Sequence, residues 1–152
     1  MPAPSPHYRI GQAAQLSGVS AANIRYYEKE GLLAAPDRSD NSYRTYTEAD
    51  LHQLRFIRLC RAMDMSLDEV RTLLGLDLRN KAECATAREA LDEHLGHVRE
   101  RLVELRALER QLSALRGRCD GNDSHCHLIE ALHDLAEHQD TVVPRTPAKR
   151  HV

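Results

Sequence analysis

Apolar residues near the start of the chain follow the spacing of short helices separated by turn signals. The segment Ile10–Leu16 has the apolar spacing of a helix, and a glycine-containing turn follows it. Ser20 is a good N-cap for a second helix, which buries Ile24 and Tyr27 and stops at Gly31. Two helices joined by a short turn that contains glycine are typical of a helix-turn-helix.

Turn-forming and β-prone residues follow the second helix. Residues 36–42 are rich in Asp, Asn and Ser, and Tyr43–Tyr46 is β-prone, so this stretch predicts a small hairpin, or wing. Thr47–Asp50 and Ser66–Glu69 both have the form of a capping box, and each predicts the start of a further helix. The apolar positions that these two helices are expected to bury are Leu51, Leu54, Ile57, Val70, Leu73 and Leu74.

A long amphipathic helix is predicted from Lys81 to Leu115, because neither proline nor a loop cluster interrupts this stretch. Its apolar residues recur at spacings of three and four, as in a coiled coil: Leu91, Leu95, Val98, Leu102, Leu105, Leu108, Leu112 and Leu115. One face of a last short helix carries Leu128, Ile129, Leu132 and Leu135. Only this short helix could cover the long apolar seam within the chain, so a partner chain is expected.

These patterns predict an all-α fold with a small β wing, in which an N-terminal winged helix-turn-helix domain is followed by a long antiparallel coiled-coil dimerisation helix. The expected divisions are a disordered lead-in (1–7), the winged helix-turn-helix domain (8–76), the dimerisation helix (81–117), a loop with a short C-terminal helix (118–138), and a flexible tail (139–152).

Composition narrows the class of protein but does not decide its function. With 152 residues, 41% of them hydrophobic, the chain has enough apolar surface for one modest core. It contains neither an apolar run long enough to span a membrane nor a leader for export, so we expect a cytoplasmic protein without a membrane partner. The net charge of −2 neither supports nor excludes binding to DNA.

The cysteines are candidate metal ligands. Cys119 and Cys126 flank a polar loop, and Cys84 lies at the start of the long helix, about 50 Å from Cys119 at ~1.5 Å per helical residue. If two such helices pair antiparallel, Cys84 of each chain meets the loop of the other, which gives two three-thiolate sites. Thiolates select soft or borderline cations. Cys60 is flanked by apolar residues on a helix and is expected to be packed in the core.

A second candidate group contains two histidines. His94 and His97 have the i,i+3 spacing that places both on one helix face, beside the apolar seam. With Glu69 or Asp68 from the preceding helix, they could bind a second metal ion of harder character. The interpretation that we favour is that they are partly solvated histidines at a helix interface.

Several motifs together resemble the MerR family of bacterial transcription regulators. They are Tyr8–Ser20, Ile24–Glu28, Gly31–Leu33, Arg38, Tyr43–Tyr46 and Leu54–Ile57. The resemblance implies a homodimer that binds double-stranded promoter DNA and distorts it, so that RNA polymerase engages both promoter elements when metal binds. One difference lies in the wing turn, where the family usually has glycine and this chain has Asn41 and Ser42. Because asparagine tolerates a left-handed backbone, we expect the wing to be retained.

The same motifs supply candidate DNA contacts. Inward-facing Ile24 and Tyr27 leave the other side of the second helix for contacts to phosphates or base edges. Arg38 and Arg44 in the wing are expected to bind phosphates, which supplies affinity and register. Tyr27 is favoured as a core residue, although the resemblance leaves a DNA contact open. The complete candidate set is Asn23, Arg25, Tyr26, Tyr27, Arg38 and Arg44.

By resemblance, the cysteines indicate the effector. Copper(I) sensors of the family have serine where this chain has Cys84, and the Cys119–Cys126 spacing is similar to that of the cadmium- and lead-responsive regulators. We therefore expect Cd(II) or Pb(II) as effector. Zn(II) is the alternative, because His125 and His127 could supply a fourth ligand, and Hg(II) also suits thiolates.

Two other classes of protein are alternatives to a metal-responsive regulator. A metal-buffering protein would need the cysteines but not the helix-turn-helix. An enzyme is not expected, because the sequence contains no nucleophile motif, no phosphate-binding glycine loop and no zinc-protease motif.

Overall fold

A computed structural model of the chain describes residues 5–34, 43–119, 121 and 126–138. These residues form six helices: α1 (Ile10–Ser17), α2 (Ala21–Lys29), α3 (Glu48–Ala62), α4 (Leu67–Leu74), α5 (Lys81–Arg116) and α6 (His127–Glu137). The helix-turn-helix, the two capped helices and the long helix that the sequence predicts are confirmed. The chain divides into two compact units, Met1–His94 and Leu95–Val152.

Side-chain caps fix where α2, α3 and α4 begin. Ser20 Oγ accepts a hydrogen bond from Asn23 N at 3.2 Å, which confirms the predicted start of α2. The capping boxes Thr47–Asp50 and Ser66–Glu69 are both complete, with the hydroxyl and the carboxylate each accepting a backbone N–H of the other residue. Between α1 and α2, Gly18 has a φ of 72°, a left-handed conformation that glycine adopts without strain.

The core of the first unit lies where α1 and α4 pack against α3 and where α1 packs against α2. Leu51, Leu54 and Ile57 of α3 are fully buried, as their helical spacing predicts. Val70 is also buried, while Leu73 and Leu74 pack against the core and remain partly exposed. Cys60 is 2% exposed, which confirms that it is a packed residue.

The base of the wing is attached to the segment before α1. Tyr46 and Tyr8 form an antiparallel bridge, with N–H to carbonyl distances of 2.8 Å in both directions. The sequence predicts a hairpin here, but the turn that would close it, with Arg38, Asn41 and Ser42, lies outside the described residues. The described part of the wing is therefore held by pairing with a distant segment, which no local sequence pattern indicates.

The second unit contains most of α5 together with α6. Helix α5 runs for 36 residues, as predicted, and most of its seam residues are exposed in the single chain: Leu91, Leu95, Leu102, Leu105, Leu108 and Leu112. On α6 only Ala131 is buried. Helix α5 therefore presents a long apolar stripe to solvent. Among the described residues, no helix is long and apolar enough to cross a membrane.

Candidate DNA interface and metal-binding residues

Helix α2 divides its side chains between the core and the surface. Ile24 is fully buried and Tyr27 is 7% exposed, so the inward-facing pair that the sequence predicts is confirmed. Arg25 is exposed, and Asn23 and Tyr26 are half-buried. The surface that α2 offers to a ligand therefore consists of the Arg25 guanidinium with parts of Asn23 and Tyr26, while Tyr27 contributes mainly to packing.

The base of the wing is joined to α2 through Glu28. One carboxylate oxygen of Glu28 accepts a hydrogen bond from Arg44 Nη1, and the other accepts one from the Tyr46 hydroxyl. The Glu28 side chain is 6% exposed, whereas that of Arg44 is half exposed. Burial, followed by the hydrogen bond to Glu28, raises the pKa of the Tyr46 phenol, so this hydroxyl remains a donor. Arg44 can therefore bind a partner while it stays anchored.

A second contact at the wing base involves residues that the sequence analysis did not select. The Arg9 guanidinium lies over the Tyr43 ring, 5.3 Å from its centroid, which is the geometry of a cation–π interaction. No sequence pattern indicates a role for Glu28, because only the fold brings it to the wing. Arg9 carries no pattern of its own that could have identified it.

The cysteines near the ends of α5 are accessible. Cys84 lies in the first turn of α5, where its backbone N–H is 3.3 Å from the Asn80 carbonyl. Cys119 lies three residues beyond Arg116, the last residue of α5, and Cys126 is the N-cap of α6. All three thiols are exposed and no disulfide joins any of the four cysteines. Exposed thiols have the access that a metal ligand needs.

The residues between Cys119 and Cys126 include His125, which lies outside the described residues. His127 is the first residue of α6, directly after Cys126, and its Nδ1 lies 3.6 Å from Glu130 Oε2. This histidine is therefore close in sequence to a candidate thiol ligand and is also exposed.

His94 is buried, and both of its ring nitrogens have partners. Nδ1 lies 3.1 Å from Glu69 Oε1, and Nε2 donates to the Met63 carbonyl at 2.9 Å. His97, one turn further along α5, is exposed. The fold thus brings Glu69 to His94, as the second candidate site requires, and it also gives His94 a role in packing α5 against the end of α3.

Two family models match the chain. The model described as MerR HTH family regulatory protein matches residues 8–76, and the model described as MerR, DNA binding matches residues 51–115. Together they span the helix-turn-helix, the wing and most of α5. The chain belongs to the MerR family.

Relatives and solved structures of MerR proteins extend the comparison. The heavy metal-dependent transcription regulator 2 of Rhizobium meliloti is 35% identical over 81% of this chain and 84% of its own. The regulator ZntR of Escherichia coli K12 is also 35% identical, over 82% of this chain and 92% of its own. The transcription regulator PbrR691 of Ralstonia metallidurans, solved with lead(II), is 43% identical, with a TM-score of 0.69. The match covers 82% of this chain and 98% of that chain.

These relatives are transcription regulators, which confirms that this MerR family chain is a regulator and not an enzyme. The MerR HTH model covers the helix-turn-helix and the wing, and the model described as DNA binding covers most of α3, all of α4 and most of α5, so the chain is a DNA-binding regulator. The individual DNA-contacting and metal-binding residues stay predictions.

Proposed function

We propose that this protein is a homodimeric transcription regulator that binds promoter DNA and activates transcription when Cd(II) or Pb(II) binds a three-cysteine site. The observation that carries the proposal is one exposed thiol in the first turn of α5 and two exposed thiols that follow its end, on a helix with an apolar stripe exposed in the single chain. A relative that is heavy metal-dependent and a similar regulator solved with lead(II) support a metal effector.

Each metal site is formed by two chains. Helix α5 has 36 residues, which corresponds to about 54 Å at ~1.5 Å per residue, so Cys84 cannot join Cys119 of its own chain along this helix. Antiparallel pairing of two α5 stripes buries their leucines and places Cys84 of one chain beside Cys119 and Cys126 of the other. Three thiolates suit soft or borderline ions such as Cd(II), Pb(II) and Hg(II).

The DNA interface combines α2 and the wing. Exposed Arg25, with Asn23 and Tyr26 beside it, contacts phosphates or base edges in the major groove. Arg44, with Arg38, contacts phosphates. These contacts fix how the two helix-turn-helix domains of the dimer lie on the promoter.

Activation follows from differential affinity. The dimer occupies an over-long spacer between two promoter elements both with and without bound metal. Binding of the ion favours the conformation of the dimer that untwists the spacer. RNA polymerase then engages both elements. The ion must bind the activating conformation more tightly than the other, because a ligand of equal affinity for both states shifts nothing.

Zn(II) is the alternative effector. Zinc prefers a closed site with four ligands, and His127 follows Cys126 directly, so it or His125 would complete such a site. If His125→Ala and His127→Ala abolish activation by zinc but not by cadmium, the histidines supply the fourth zinc ligand. Equal activation of the wild type by zinc and cadmium would contradict the preference for cadmium.

A second metal site at Glu69, His94 and His97 is supported by one detail of the His94 ring. Its Nε2–H donates to the Met63 carbonyl, which leaves Nδ1 directed at the Glu69 carboxylate. Histidines that bind metals commonly donate their other N–H to a carbonyl in this way. His97 is one turn further along α5.

The experiment that tests the proposed function is transcription in vitro from the protein's own promoter, titrated with each ion. We expect Cd(II) and Pb(II) to activate the wild type and to leave Cys84→Ser inactive. Cys60→Ala is the matched control, because it removes the remaining thiol, which is buried and outside the proposed site. A metal-buffering protein would bind the ions but would not protect a specific promoter from nuclease or activate its transcription.

A further inference from the structure

Glu28 occupies an unusual position for an acidic residue near a DNA-binding surface. Its side chain is 6% exposed and both of its oxygens accept hydrogen bonds from the wing base, one from Arg44 and one from Tyr46. Glu28 belongs to the last turns of α2, whereas its partners follow the wing turn. One carboxylate therefore joins the two elements that contact DNA in the proposed function.

Glu28 also lies beside the other arginine of the proposed interface. Arg25 precedes it by three residues on α2, which places the two side chains on neighbouring positions of one helix face. Both Arg25 and Arg44 act electrostatically on the Tyr46 phenol, whose pKa is raised by burial and by Glu28. Glu28 contacts this buried hydroxyl directly, and Arg44 contacts Glu28.

A carboxylate in this place has an electrostatic cost, because it weakens the attraction of the surface for phosphates of any sequence. It also has a benefit, because a guanidinium held in one orientation loses less conformational entropy when it binds. The cost applies to all DNA alike. The benefit applies only where a phosphate stands at the position that the anchored guanidinium reaches.

We propose that Glu28 is a positioning residue for promoter recognition, which holds Arg44 and the wing base at a fixed place relative to Arg25 on α2. The inference rests on the proposed function, in which Arg25 and Arg44 contact DNA. Glu28 itself does not touch DNA. Its charge lowers the affinity for DNA of any sequence, and its hold on Arg44 raises the preference for the promoter over other DNA.

The wing base has other attachments that keep it folded without Glu28. Tyr46 still pairs with Tyr8 through two backbone hydrogen bonds, and Arg9 still lies over the Tyr43 ring. In Glu28→Gln one of the two acceptor oxygens becomes an NH₂ group, so the side chain can no longer accept both hydrogen bonds through separate oxygens. The negative charge that attracts Arg44 is also lost. This variant therefore frees the guanidinium while it keeps the fold.

The experiment compares Glu28→Gln with Glu30→Gln, which removes the same charge two residues away. Glu30 is the C-cap of α2 and its carboxylate lies 3.9 Å from Arg71, a residue of α4. Affinities for the promoter and for unrelated DNA are measured by fluorescence anisotropy on the full dimer at several salt concentrations. We expect Glu28→Gln to lower the ratio of specific to non-specific affinity by about tenfold, and Glu30→Gln to leave it unchanged.

A double-mutant cycle with Arg44→Ala separates the possible failures. If Glu28 acts through Arg44, Glu28→Gln has little further effect on the ratio in the Arg44→Ala background. If the effects of the two substitutions on this ratio are fully additive, the inference is overturned although the DNA contacts remain. The same holds if Glu28→Gln lowers the thermal midpoint of unfolding but leaves the ratio of specific to non-specific affinity unchanged. If Arg44→Ala alone leaves promoter affinity unchanged, the proposed Arg44 contact is wrong, and the inference falls with it.

Discussion

His94 Nδ1 lies 3.1 Å from Glu69 Oε1, and the other oxygen of this carboxylate accepts the backbone N–H of Ser66 at 2.7 Å. One glutamate therefore caps α4 and holds α5 against it. These contacts contribute to packing and involve two residues of the second candidate metal site. A variant of His94 alone would therefore not distinguish a loss of folding stability from a loss of metal binding. His97, which is exposed, allows the two to be separated.

If the second metal site forms, we expect His97→Ala, and the double variant His94→Ala with His97→Ala, to lower the number of metal ions bound per chain while the thiolate site and induction stay largely intact. Only the double variant should also lose stability, by about 1–3 kcal/mol, because it removes the imidazole that contacts Glu69 Oε1 and the Met63 carbonyl. Equilibrium dialysis and thermal unfolding measure the two effects. Exposed His52→Ala is the control. Unchanged stoichiometry in all three variants would support packing as the only role.

The reactivity of the cysteines should separate Cys60 from the others. Burial raises the pKa of the Cys60 thiol, which lowers its thiolate fraction at neutral pH, whereas the other three thiols are exposed. We expect a thiol reagent to modify Cys84, Cys119 and Cys126 rapidly and Cys60 only on unfolding. Mass spectrometry of the timed reaction identifies each site. Cd(II) should protect the three fast cysteines, and protection of fewer would remove the unprotected one from the site.

Local sequence patterns were sufficient for most of the fold and for the identity of the candidate ligands. Ser20, Thr47 and Ser66 form caps because a hydroxyl and a following N–H are only three residues apart. The Tyr8–Tyr46 bridge and the Glu28 contacts could not be predicted, since each joins residues that are far apart in sequence and follows no period. The proposed three-cysteine site would draw on a second chain, so the sequence indicates its chemistry, while the described residues of one chain do not bring its three thiols together.

The salt dependence of DNA binding should report on Arg44. Its guanidinium is anchored to Glu28 and half exposed, and the proposed contact is to phosphate. We expect Arg44→Ala to weaken binding both to the promoter and to unrelated DNA and to reduce the salt slope by about one per subunit. Arg99→Ala, an exposed arginine on α5, is the control for the loss of one positive charge. An unchanged slope in Arg44→Ala would remove this residue from the interface.

The subunit-spanning site predicts that two inactive chains can restore one metal site between them. Cys84→Ser removes one ligand, and a second chain with Cys119→Ser and Cys126→Ser removes the other two. Neither homodimer should respond to metal. If sites form between chains, the heterodimer brings the intact Cys84 of the second chain to the intact Cys119 and Cys126 of the first.

One end of this heterodimer then has all three thiols, and the other end has none. We expect one tightly bound Cd(II) per heterodimer with a thiolate-to-metal absorption band that neither homodimer shows, and reduced induction because only one end of the coiled coil is fixed. A site within one chain gives the opposite result, since each chain lacks at least one ligand. The 36-residue length of α5 favours the first outcome. A folded heterodimer, verified by two affinity tags, that shows no such band would refute antiparallel sharing of the thiols.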